Sequence, residues 1–142
     1  MLTFRLLRRS TAPREARWRI RPRLRELGYP DDVVDELLVA VGEAMTNAVL
    51  YGAPGPDSQA ADDIAVTLRT DAAFCVIEVT SPKTGWAVNL ATCPGPMAPN
   101  GRGLFVIDRF TDAWKVTQGP GGTTISLSRR LPAPMAERAG RV

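Results

Sequence analysis

The chain contains no histidine. That absence removes a Ser-His-Asp triad, a Cys-His nucleophile pair and any His-ligated metal centre built within the chain. Acid–base chemistry would fall to a carboxylate or a lysine. Lysine is itself scarce: Lys83 and Lys115 are the only two, and the other sixteen of the 18 basic residues are arginine. Two cysteines, Cys75 and Cys93, are too few for a disulfide framework or a structural zinc site. Cys75 falls in the apolar run Phe74–Val79 and reads as a small core residue, whereas Cys93 lies in a Pro/Gly stretch. No segment approaches the ~20 consecutive apolar residues that a membrane-spanning helix needs. Residues 1–9 lack the apolar core and small-residue cleavage site of a signal peptide, so a cytoplasmic protein is expected.

What is present is ordinary globular material. The 142 residues are 44% hydrophobic and 23% charged, which fits one compact domain. The expected division is a single domain over residues 1–131 and a loose tail over 132–142, beginning at Pro132-Ala-Pro134. The net charge of +3 hides an asymmetry. Nine arginines fall within residues 1–30, giving that segment +7 and leaving −4 for the rest. Such a segment attracts an acidic protein surface, a nucleic acid or a membrane face, unless it is simply the solvated side of a helix. Trp18, Ile20, Leu24 and Leu27 interrupt the arginines at roughly helical spacing, in keeping with the helix.

The punctuation is uneven. Pro and Gly gather at residues 52–56, 94–101, 119–122 and 132–134, between periodic segments. Residues 2–8 alternate as an edge strand would, and residues 11–27 read as a helix. Gly28-Tyr-Pro30 breaks it, and Asp31 is placed to cap the next helix. That helix, over 32–51, carries Val34, Leu37, Leu38, Val41, Met45, Ala48 and Val49 as one apolar arc and stops at Gly52. Ile64, Val66 and Leu68 mark a strand, and 74–80 a second. A long irregular stretch, 81–100, exceeds the ~12–15 residues beyond which a loop is usually functional. A short helix over 101–110 and strands over 113–117 and 123–131 complete a β-α-α-β-β-loop-α-β-β order. Hairpins and grouped helices predict an α+β fold: one mostly antiparallel sheet with helices on one face, in two layers.

Three constellations can carry chemistry. Glu43-Ala-Met-Thr-Asn47 places a carboxylate and an amide one helical turn apart, on a face opposite the Leu37/Val41/Met45 arc, with Ala40 and Ala44 leaving space beside it. A carboxylate can serve as a general base, and an amide oxygen suits Mg²⁺. Taken alone, the pair is more often a solvated helix face. Asn100-Gly-Arg-Gly-Leu104 opens a helix with glycines, where free amides attract phosphate and Arg102 can add a contact. A glycine-rich turn with a helix cap accounts for it equally well. Gly122-Thr-Thr124 enters the last strand, where a hydroxyl can touch a ligand or simply favour strand geometry. Neither GxxxxGK[ST] nor GxGxxG is present.

As an ordered set over residues 10–131, these pieces resemble the GHKL (Bergerat-fold) ATPases, in the branch of bacterial anti-sigma-factor serine/threonine kinases. Glu43–Asn47 matches the N-box, the strand end at Ser81 with Gly85 the G1 region, the Pro/Gly stretch the ATP lid, Gly101-Arg102-Gly103-Leu104 the G2 region, and Gly122-Thr-Thr the strand-entry threonine. The resemblance implies ATP and Mg²⁺ as cofactors. It gives Glu43 the task of orienting or deprotonating an attacking hydroxyl, Asn47 that of holding Mg²⁺, Gly101, Arg102 and Gly103 the phosphates, and Thr123 in preference to Thr124 the adenine-side network. In-line phosphoryl transfer needs chiefly positioning and charge neutralisation, so the set is adequate without histidine.

One position departs from the family. Its G1 motif begins with an aspartate that accepts a bond from the adenine amino group, and Ser81 stands there. From the ordered N-box, lid and G2 set, the resemblance implies a kinase acting on an anti-sigma-factor antagonist, binding that antagonist or a sigma factor and able to form a homodimer. The alternative is a non-catalytic module of the same fold with weak or no nucleotide binding, acting through its arginine-rich first helix. Nucleic-acid binding is disfavoured, since no reading motif is visible and the basic N-terminal segment offers few aromatic planes, Trp18 and Tyr29 among them.

Overall fold

The structure, a computed structural model, describes residues 1–84 and 102–133. The elements are β1 (Leu2–Leu7), α1 (Ala12–Glu26), α2 (Asp31–Tyr51), β2 (Asp63–Thr70), β3 (Phe74–Ser81), α3 (Arg102–Phe110), β4 (Ala113–Gly119) and β5 (Gly122–Arg130). The strands form one five-stranded sheet in the order β1-β2-β3-β5-β4, and every neighbouring pair is antiparallel. The α+β sandwich expected from the order of elements is the fold observed.

The core lies between the sheet and α2. Cys75, Ile77 and Val79 of β3, Ile64, Val66 and Leu68 of β2, and Ile125 and Leu127 of β5 meet Val34, Leu37, Val41 and Met45 of α2. Alternation along each strand sends these side chains to one face. α1 packs its Ala12-Ala16-Ile20-Leu24 ladder inward, and the small alanines let it approach α2 closely.

The arginines of α1 are therefore left outside, where several pair with acids. Arg19 meets Glu15 at 3.7 Å, Arg21 meets Asp35 at 3.5 Å and Arg23 meets Glu26 at 3.0 Å. Trp18 does not join Ile20 and Leu24 in the core. It is 75% exposed, because it falls between the buried ladder and the arginine face.

The cap of α2 differs from expectation. Pro30 is the N-cap, and its carbonyl accepts from Val34 N at 2.9 Å. Asp31 and Asp32 occupy the first turn, where their charge complements the helix dipole.

α3 is tied down at its far end. Arg129 Nη1 donates to the Phe110 carbonyl at 2.9 Å and to Glu36 Oε2 at 3.2 Å, linking α3, α2 and β5. Trp114 Nε1 donates to Asp108 Oδ1 at 2.8 Å, joining α3 to β4. Tyr29 closes the α1–α2 junction by donating to the Arg129 and Arg130 carbonyls at 3.1 and 2.9 Å. Burial pushes its hydroxyl pKa well above the usual tyrosine range.

Candidate functional site

Two clusters sit along the C-terminal half of α2. In the first, Glu43, Asn47 and Gly103 converge. Fixed by Arg129 at its other end, α3 brings its first turn against α2 so closely that a β-carbon on Gly103 would lie 3.1 Å from Glu43 Oε2 and 3.4 Å from Asn47 Nδ2. A glycine is the residue that permits this approach.

The expectation of an open face here needs correction. Ala40 and Ala44 are fully buried, and Asn47 is only 8% exposed. Periodicity located the sheet-facing arc, but α2 is also flanked by α1 and α3, so it is covered on more sides than one arc. Glu43 remains half-buried.

Asn47 is in an unusual state. Among the described residues, its Nδ2 is a buried side-chain atom with no hydrogen-bond partner. Such a group costs about 1–3 kcal/mol unless something satisfies it. A half-turn of the amide presents Oδ1 at the same place. Among the described residues, no three His, Cys, Asp or Glu side chains gather into a metal cluster. One carboxylate and one amide suit Mg²⁺ held jointly by protein and phosphates, because that ion retains waters and needs few protein ligands. The orphaned amide and the glycine cradle beside it fit Mg-nucleotide on these grounds.

The second cluster lies at the end of α2. Ser81, the last residue of β3, stands opposite Thr123 in the sheet and is 1% exposed. A β-carbon on Gly52 would fall 2.5 Å from Ser81 Cβ and 2.8 Å from its Oγ. The residue that follows α2 must therefore be glycine for want of space; its φ of −92° makes no such demand. Gly122 does make that demand, with φ at 121° and the Ser81 backbone where a side chain would go. Thr123 is fully buried, and its hydroxyl donates to the Lys83 carbonyl at 2.7 Å. Lys83 N donates to the Gly52 carbonyl at 3.2 Å, and Thr84 Oγ1 donates to the Gly119 carbonyl at 2.9 Å. The chain leaving β3 is thus fastened to both α2 and β5.

Not every expected site residue is assembled. Leu104 points into the core at 2% exposure, so its side chain is not in the site. Gly85, Gly101 and most of the stretch read as a lid lie outside the described residues, as does the side chain of Arg102. One participant escaped the sequence reading. Arg17 of α1 lies across Gly42, its Nη1 2.6 Å from where a β-carbon would stand, which brings a guanidinium to the turn that carries Glu43. The adjacent Gly42-Glu43 pair was the available signal, because a mid-helix glycine marks a close approach.

Residues 8–129 match the family described as histidine kinase-like ATPase domain. Among solved structures, the chain is similar to the RsbU and RsbW domains of Rv1364c from Mycobacterium tuberculosis, at 21% identity and a TM-score of 0.62. The likeness covers 94% of this chain and 34% of that one, so the chain spans about a third of that structure's length. Comparison with curated proteins gives no match. The family match runs from just after β1 to the end of β5 and takes in both clusters, and the chain belongs to the histidine kinase-like ATPase domain family.

Proposed function

We propose that the protein is an ATP-binding regulator of the anti-sigma-factor type that phosphorylates a serine or threonine of an antagonist protein. The observation that carries this reading is the buried Asn47 amide left without a partner beside Glu43 and Gly103. A fold relative that contains an RsbW domain supports it.

In this reading each residue has a stated task. Asn47 holds Mg²⁺ through its amide oxygen. The first-turn amides of α3, beginning at Arg102 and Gly103, hold phosphate oxygens, helped by the positive end of the helix dipole. Glu43 orients the incoming hydroxyl and takes its proton. Bound Mg-ATP supplies the transferable phosphoryl group and the neutralising charge. Ser81 and Thr123 border the base.

The exposed side of α1 is the partner-facing surface. A groove lined by Thr11, Arg14, Glu15 and Trp18 offers an aromatic plane on this arginine-rich helix, whose net positive charge suits an acidic protein surface. No helix among the described residues is long and apolar enough to cross a membrane.

The test is direct. Calorimetric titration with Mg-ATP gives binding, and radiolabelled ATP transfers label to a purified anti-sigma-factor antagonist. Glu43→Gln retains binding and lowers transfer at least about 100-fold. Absence of nucleotide binding sinks the reading. Binding without transfer, with the antagonist still held, favours the non-catalytic module.

A further inference from the structure

We propose that Arg129 is a positioning residue for the phosphate end of this site: by holding Glu36 of α2 to the end of α3, it sets where the first turn of α3 stands against Glu43 and Asn47. This role rests on the nucleotide-binding reading and concerns how that same site is kept in shape.

The geometry begins with a match of lengths. Glu36 and Glu43 are seven positions apart on α2, and Gly103 and Phe110 are seven positions apart on α3. Seven residues are close to two full turns, so each pair shares one face of its helix, with a rise of ~10.5 Å. Glu43 meets Gly103, and Glu36 meets the Phe110 carbonyl through Arg129. α3 therefore runs antiparallel along α2, with the site at one end of the shared face and Arg129 at the other.

Arg129 ties that second end through a single nitrogen. Nη1 carries two N–H bonds, and its two acceptors are the Phe110 carbonyl at 2.9 Å and Glu36 Oε2 at 3.2 Å. The Phe110 carbonyl is one of the last four of α3, which have no partner within the helix, and a cation there complements the helix dipole. The Arg129 side chain is 24% exposed and that of Glu36 37%, so the pair is sheltered from screening better than one in open solvent. The backbone that carries Arg129 is itself held, by its place in β5 and by Tyr29 donating to its carbonyl. The tie thus refers α3 to the sheet as well as to α2.

Apolar packing alone sets this register less sharply. Leu104 and Ile107 are buried and decide which face of α3 turns inward, but apolar burial is non-directional. A bond with a fixed partner on each helix resists sliding along the axis. The site end has little slack, since Gly103 already stands against Glu43 with room for no more than hydrogen. A misplacement of ~1 Å in such a site costs up to about 100-fold in a positioned reaction.

Titration calorimetry with the Mg²⁺ complex of the non-hydrolysable imido analogue of ATP reads the effect, at a temperature where circular dichroism shows each variant folded. Arg129→Met keeps much of the side chain's length and removes its donors. It is expected to weaken binding at least about fivefold, and a smaller loss overturns the proposal. Arg129→Lys keeps a charge and donors and is expected to bind more tightly than Arg129→Met; binding no tighter overturns it. A double-mutant cycle with Gly103→Ala separates positioning from general support of the fold. Once Gly103→Ala has disturbed the contact, Arg129→Met is expected to cost no more than about twofold further, whereas the same loss in both backgrounds overturns the proposal. Should Arg129→Met not fold, Glu36→Gln takes its place, with at least about twofold weakening expected in the wild-type background and none after Gly103→Ala. No binding by the wild type sinks the nucleotide reading and this role together, and binding indifferent to Arg129 sinks this role alone.

Discussion

Gly103 of α3 lies so close to Glu43 of α2 that a single added carbon would stand 3.1 Å from the Glu43 carboxylate oxygen. The helix that begins at Arg102 can therefore deliver its first-turn amides to the turn of α2 that carries Glu43 and Asn47.

Gly103→Ala should keep the fold and damage the site. The Glu43 carboxylate must give by a few tenths of an ångström to admit the methyl group, which comes into contact with the Asn47 amide. Affinity for Mg-ATP is expected to fall about tenfold, close to 1.4 kcal/mol. Calorimetry measures the loss, and an unchanged far-ultraviolet circular dichroism spectrum checks that the fold survives.

Asn47→Ala should separate stability from binding. Removing a buried donor that lacks a partner relieves its desolvation cost and opens only a small void. The melting temperature is expected to stay within about 3 °C of wild type or to rise. Mg²⁺-dependent nucleotide affinity is expected to disappear. A large fall in melting temperature would mean that the amide is structural.

Gly122→Ala should be costly for two reasons at one position. Its φ of 121° is unsuited to an L-residue, and the Ser81 backbone occupies the space. A loss of about 2 kcal/mol or more is expected from the urea midpoint.

Asp71 should make the β2–β3 turn sensitive to acid. Its Oδ1 accepts from Ala73 N at 2.8 Å and Phe74 N at 2.7 Å. These bonds hold the carboxyl pKa below its ordinary value. A group with a depressed folded pKa stabilises fully above its unfolded value of ~3.9 and loses that contribution as pH falls through the folded one. Asp71→Ala is therefore expected to lower the urea midpoint at pH 7, with the gap from wild type narrowing progressively below pH ~4.

Much of this was legible in the chain itself, for physical reasons. The apolar spacing from Val34 to Ala48 can be satisfied only by a long helix on a sheet, and the alternation in Ile64–Leu68 only by a half-buried strand. The burial of Asn47 was not legible, because periodicity reports one face of a helix and α3 covers another. Gly52 was read correctly as the stop of α2, but the reason it must be glycine was not legible: a β-carbon there would meet Ser81, 29 positions along the chain and invisible to a local pattern. Trp18 misled because helical spacing alone does not say where the buried stripe ends. The candidate residues Glu43, Asn47 and Gly103 were singled out by type and spacing, whereas Arg17 entered only through packing on Gly42.

The sheet order has a consequence in time. β5 is the last strand in sequence, yet it lies between β3 and β4, and its Thr123 faces Ser81. During synthesis β3 has one neighbour, β2, until β5 has emerged and inserted on its other side. The Ser81 end of the site is therefore built last, well after Glu43 and Asn47 have been made. A nascent chain halted before residue 122 holds every residue of α2 but lacks the strand that completes the Ser81 cluster.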